Sequence, residues 1–166
     1  FEPALGCGAA ALQHTPLALR PGLVHESEDA GDEAVVRRLG YRFALVSGGF
    51  SQITDRLAED LGIHFSRANE LEVIDGKLTG NIVGDVVDRA GKARALREFA
   101  AELGLTEAAT IAIGDGANDL DMLNAAGLGI AYNAKPLVRD AADTAVNVPY
   151  LDAIMYLLGI SREEIE

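Results

Sequence analysis

From Tyr41 onward, short apolar runs alternate with helical spacing, the pattern that βα units produce. Arg42-Phe43-Ala44-Leu45-Val46 reads as a strand, and Ser47-Gly48-Gly49-Phe50 as the turn that follows it. Ile53, Leu57 and Leu61, four residues apart, then mark one face of a helix that Gly62 stops. Glu72-Val73-Ile74, Asp75-Gly76 and Lys77-Leu78-Thr79-Gly80 form a hairpin signal, because Asp-Gly tolerates the positive φ angles of a tight turn. Residues 92–103 carry Leu96, Phe99, Ala100 and Leu103 on one helical face and end at Gly104. Residues 110–113 form a short apolar strand that runs straight into an acidic turn, and Leu123 with the alanines before Gly127 belongs to the helix after it. A strand over 128–132, a short helix opened by Pro136, a strand over 144–148 and a closing helix over 151–158 complete the pattern, with a frayed acidic tail over 162–166. Residues 1–38 show neither periodicity until Ala34-Val35-Val36, and no structure is assigned to them. The expectation is an α/β fold, a doubly wound parallel sheet of Rossmann type with a small β-hairpin insertion.

A chain of 166 residues supports one well-packed core. Its apolar share is 49%, yet no uninterrupted apolar stretch approaches the ~20 residues that span a bilayer. No membrane partner is therefore expected. A net charge of -12 disfavours nucleic-acid backbones and anionic lipid, so any phosphate must be drawn by a local site. The single cysteine, Cys7, excludes an internal disulfide and fits a reducing, cytoplasmic compartment. The chain begins at Phe1 without an initiator Met or an export signal, which suggests that its true N-terminus is missing.

Three strand-end segments carry the candidate chemistry. Ser47 with Gly48 and Gly49 offers a hydroxyl and backbone N–H groups to phosphate oxygens, and Lys92 offers an ammonium to transferring charge. Ile113-Gly114-Asp115-Gly116-Ala117-Asn118-Asp119 offers carboxylates, and Mg²⁺ is typically held by one or two of these together with substrate phosphate and water. Each has a blander reading: Ser-Gly-Gly as a turn with a helix cap, and Lys92 as a surface residue. The acidic turn resists one, because clustered carboxylates coincide with the end of a buried strand, where open α/β sheets bind ligands. Gly114-x-Gly116 fails as a dinucleotide fingerprint, since Asp119 occupies the third glycine position, and Gly91-Lys92 lacks the upstream glycine of a Walker loop. His14, His25 and His64 lack metal-ligand spacing, and Asp121 is read as solvent-facing or supporting rather than as a ligand.

Leu45-Val46-Ser47-Gly48-Gly49-Phe50, Lys92 and residues 113–123, in that order, resemble the later motifs of haloacid-dehalogenase-type phosphatases. Ser-Gly-Gly-Phe, Ala68-Asn69 and the Asp75-Gly76 hairpin are similar to the phosphoserine phosphatases within that family. The resemblance implies Mg²⁺-dependent hydrolysis of a small phosphorylated substrate, O-phosphoserine, through an aspartyl-phosphate intermediate. It implies that Ser47 and the Gly48 N–H bind the transferring phosphate, that Lys92 stabilises its charge and that Asp115 ligates Mg²⁺. Asn118 would contact substrate, and Asp119 would support the metal shell and Lys92. The family's Asp-x-Asp motif, which follows its first strand, is absent here, and Asp29-Ala30-Gly31-Asp32-Glu33 reads as a solvated charge run. Phe1-Glu2-Pro3-Ala4-Leu5 resembles the start of the family's helical cap, after which the likeness stops and returns near Arg38. Gly6-Cys7-Gly8 stands where the family's substrate-carboxylate arginine is expected.

The expected organisation is thus a poorly defined cap remnant over 1–36 and a core domain over 37–166. The first strand and most of the cap are missing or altered, through truncation and either a changed reading frame or genuine divergence over about 6–36. An open edge in the middle of the sheet follows, with its aggregation hazard. Two other functions stay open: a non-catalytic phosphate- or metal-binding module, or a different small-molecule phosphatase of the same family.

Overall fold

A computed structural model describes residues 7–13, 40–151 and 153–160 of the chain, the first of these segments by its backbone. Seven strands form one sheet: β1 (Cys7–Gln13), β2 (Tyr41–Phe50), β3 (Phe65–Ile74), β4 (Lys77–Val83), β5 (Thr110–Gly114), β6 (Leu128–Tyr132) and β7 (Thr144–Val146). The helices are α1 (Ser51–Asp60), α2 (Arg89–Glu102), α3 (Leu120–Ala125), α4 (Pro136–Arg139) and α5 (Ala153–Leu157). The strand order β4-β3-β2-β1-β5-β6-β7 runs outward in both directions from β1, so the topological switch point lies at the centre of the sheet.

Alternation along the buried strands divides the core. Ala44, Val46, Ala112 and Ala131 face Leu96 and Phe99 of α2 and Met122 and Leu123 of α3. Phe43, Ile111, Ile113 and Ile130 face Ile154, Met155 and Leu158 on the opposite side. Small sheet residues on the α2–α3 side let those helices approach closely. At Gly129 the approach leaves no room for a side chain, since a Cβ there would lie 2.5 Å from the Leu123 carbonyl oxygen. The doubly wound α/β fold expected from the sequence is the one observed.

Its centre differs from the expectation. β1 fills the position between β2 and β5, and it runs antiparallel to both, with Ala10 opposite Ala44 on one side and Ala112 on the other. No open edge is left there. β2∥β3, β5∥β6 and β6∥β7 are parallel. β2 also continues through Ser47-Gly48-Gly49, expected as a turn, because Phe50 pairs with Asn69 beyond an irregularity in the β2–β3 register. The hairpin is present and longer than its sequence signal, and Asp75 (φ 51) and Gly76 (φ 75) supply the two left-handed residues of its turn. α2 starts before Lys92, because Asp88 caps it by accepting the Gly91 N–H at 2.7 Å. β7 and α5 are shorter than expected, and the tail 162–166 lies outside the described residues, as do Asp29, Asp32 and Glu33.

Candidate active site

β2 and β5 end on the same side of the sheet, two strand spacings or about 10 Å apart. Ser47 lies at the end of β2, and the acidic turn follows Gly114 at the end of β5. α2 and the turn Ala117–Asp119 close the space from the helix side.

The geometry centres on a buried ion pair. Lys92 is 1% exposed and Asp119 is fully buried, and Lys92 Nζ donates to Asp119 Oδ1 at 2.6 Å. The other carboxylate oxygen, Oδ2, accepts the Gly116 N–H at 3.0 Å, which fixes the acidic turn onto the carboxylate. Gly114 must lack a side chain, because a Cβ there would lie 2.5 Å from the Asp119 Cβ. The surface reading of Lys92 is therefore wrong. Its ammonium is drawn inward by the one carboxylate that the turn buries.

The remaining acids divide by exposure. Asp115 and Asn118 are exposed at the mouth of the turn, and no described residue bonds to the Asp115 carboxylate. Asp121 pairs with Arg89 of α2, with Arg89 Nε 2.6 Å from Asp121 Oδ1, and this half-exposed pair forms the rim between α2 and α3. Among the described residues no group of three or more His, Cys, Asp or Glu converges as a metal site. One unengaged carboxylate, Asp115, is compatible with the mode in which Mg²⁺ takes a single protein carboxylate and phosphate and water complete the shell.

The segment around Ser47 is held by its own hydrogen bonds. Ser47 is 3% exposed, and its Oγ accepts the Gly49 N–H at 3.0 Å. Asn69 of β3 donates to the Gly48 carbonyl at 2.8 Å and accepts the Val87 N–H at 2.8 Å, tying the end of β2 to the segment that enters α2. Gly91 allows that segment to close, since a Cβ there would sit 2.7 Å from the Val86 carbonyl oxygen. Ser47, Gly48, Lys92, Asp115, Asn118 and Asp119 thus lie on the strand-end loops and helix starts at one side of the sheet. Sequence reasoning did not assign Asn69, Asp88 or Arg89 a structural part. The Asp88-x-x-Gly91 spacing was a readable cap signal, whereas nothing local distinguishes Asn69 from an exposed strand residue.

The fold and these loops define an open-sheet α/β protein whose candidate site lies at the carboxyl ends of its strands, beside the switch point, where such sheets bind ligands. Comparison with known proteins narrows this class. The family model of haloacid dehalogenase-like hydrolases matches residues 13–124, and the chain belongs to that family. A phosphoserine phosphatase of Streptomyces coelicolor is 66% identical over 131 residues, covering 79% of this chain and 32% of the relative. The crystal structure of a probable phosphoserine phosphatase from Vibrio cholerae superposes with a TM-score of 0.73 at 40% identity, covering 80% of this chain and 41% of that one. A substrate-bound phosphoserine phosphatase complex superposes at 0.71 with 37% identity, covering 78% and 61%. The chain spans about a third of the length of the Streptomyces relative. Among the described residues no helix is long and apolar enough to cross a membrane.

Proposed function

We propose that residues 40–160 form the phosphate- and metal-holding part of a Mg²⁺-dependent phosphoserine phosphatase. The observation that carries this reading is the buried Lys92–Asp119 pair at 2.6 Å, beside the Ser47 loop. A lysine buried at the mouth of a sheet and paired with a carboxylate can present an N–H donor to an anion there. Ser47 and the Gly48 N–H would hold phosphate oxygens, Lys92 would neutralise their charge, and Asn118 would meet the substrate at the rim. Asp115 would hold Mg²⁺, which when bound supplies Lewis-acid stabilisation of the phosphoryl oxygens. Asp119 orients Lys92 and the turn rather than the substrate. The relatives' names supply the substrate class, phosphoserine.

A second reading, a phosphate-binding module without turnover, is favoured by one observation. The strand at the centre of the site, Cys7–Gln13, contains no Asp or Glu that could serve as a nucleophile.

Isothermal titration with inorganic phosphate, and phosphate release from phosphoserine, each with and without Mg²⁺, test both readings. Phosphate binding that strengthens with Mg²⁺ and loses that dependence in Asp115→Asn is expected. Binding indifferent to both would overturn the proposal. Release from phosphoserine would decide for the phosphatase, and binding without release for the module.

A further inference from the structure

Asn69 is 5% exposed, and both ends of its amide are engaged. Its Nδ2 donates to the Gly48 carbonyl at 2.8 Å, and its Oδ1 accepts the Val87 N–H at 2.8 Å. The Gly48 carbonyl and the Gly49 N–H belong to one planar peptide unit and point in opposite directions. That N–H donates to Ser47 Oγ at 3.0 Å. The unit is therefore gripped at both ends, by Asn69 on its oxygen and by Ser47 on its nitrogen.

This arrangement determines what Ser47 can do. A hydroxyl has one proton to donate and lone pairs to accept with. The Gly49 N–H occupies the accepting side, and no described residue receives the Ser47 proton, although the side chain is only 3% exposed. Buried donors are paired in folded proteins. We infer that Asn69 is a positioning residue for phosphate: by orienting the Gly48–Gly49 peptide, it commits the Ser47 hydroxyl to donate to a phosphate oxygen. Through Val87 the same amide joins this loop to the start of α2. At Gly48 the two segments are in contact, since a Cβ there would lie 3.4 Å from the Val87 carbonyl oxygen. The inference rests on the phosphate-binding reading above and names the residue through which that site is preset.

A double-mutant cycle separates positioning from mere structural support. Inorganic phosphate is titrated, with Mg²⁺ present, into the wild type, Asn69→Leu, Ser47→Ala and the double variant. Each single variant is expected to weaken binding about tenfold, the effect of one hydrogen bond to a charged group. The double variant is expected to bind no more weakly than Ser47→Ala alone. Losses that multiply, or an Asn69→Leu variant that binds as the wild type does, would overturn the inference. Asn69→Asp, which has the same shape and keeps the Val87 contact but not the donor to Gly48, serves if the leucine variant does not fold, and is expected to show the same coupling. Amide exchange gives a reading without any variant: the Gly49 N–H of the wild type is expected to be protected before phosphate is added, and free exchange there would overturn the inference. No phosphate binding by the wild type would overturn the proposed function itself, an outcome distinct from binding without coupling.

Discussion

Replacing Lys92 by Met should destabilise the fold far more than an ordinary surface change, because it leaves the Asp119 carboxylate buried without its cation. The side chains of Lys92 and Asp119 are 1% and 0% exposed, so solvent screening gives no relief. With Nζ and Oδ1 at 2.6 Å, and charge centres about 4 Å apart, an effective dielectric near ~20 gives an attraction of about 4 kcal/mol. Breaking a buried pair by removing one partner is destabilising by about 3–5 kcal/mol, a large share of the roughly 5–15 kcal/mol that holds a domain together. Asp119 would still accept the Gly116 N–H, and one hydrogen bond does not compensate a buried charge. The double variant Lys92→Met/Asp119→Leu removes both charges and should recover most of the loss in stability while abolishing phosphate binding. Urea unfolding of the wild type and the two variants, with equal m-values as the check on two-state behaviour, measures this. A single-variant loss below about 1 kcal/mol, the range of an exposed pair, would refute the reasoning.

Ala10→Pro should destabilise by more than about 2 kcal/mol, since Ala10 stands opposite both Ala44 and Ala112 and proline cannot donate within a central strand; an unchanged thermal melt would show that β1 does not hold the centre. Gly91→Ala should lose about 1–3 kcal/mol in urea unfolding, because its Cβ would lie 2.7 Å from a backbone oxygen that has little room to move, and a neutral result would contradict the tight entry to α2. Glu72 accepts hydrogen bonds from Thr79 at 2.6 Å and Asn81 at 3.1 Å, which hold its carboxyl below the usual glutamate range. The stability this contributes is fully present above the ordinary glutamate pKa and is lost as pH falls through the lowered one. A carboxyl-carbon NMR titration should place Glu72 below the other exposed glutamates and move it upward in Thr79→Val; a normal midpoint in both would refute the assignment.

The parts of the fold that were legible in the sequence are those whose cause is local. Asp75-Gly76 announces its hairpin because the turn needs two positive φ angles, and 110–113 announces a buried strand because Ile111, Ala112 and Ile113 are apolar and all of β5 is enclosed. The acidic turn was readable for the same reason, since Gly114 and Asp119 are five residues apart and their contact is made within one turn. What failed depended on distant partners. Ser47-Gly48-Gly49 carries the composition of a turn, yet pairing of Phe50 with Asn69 and the amide of Asn69 hold it extended. Cys7–Gln13 has little alternation to read, being mostly Ala and Gly, and its strand exists through the ladders on either side of it.

That central strand also separates two properties of the site. A parallel strand between β2 and β5 would bring its carboxyl end to the crevice, but β1 runs the other way and sets Cys7 opposite Ser47. The backbone that borders the crevice at the switch point is thus the start of β1, while Ser47, Lys92 and Asp119 keep their places on their own elements. In the proposed function, affinity for phosphate would depend on the hydroxyl, the ammonium and the turn, all supplied between residues 47 and 119. Covalent turnover depends in addition on a carboxylate within reach of phosphorus, and residues 7–13 provide none. Binding and hydrolysis are therefore independent measurements for this chain. A variant such as Asn69→Leu would act on the first, and a change at the head of the central strand on the second.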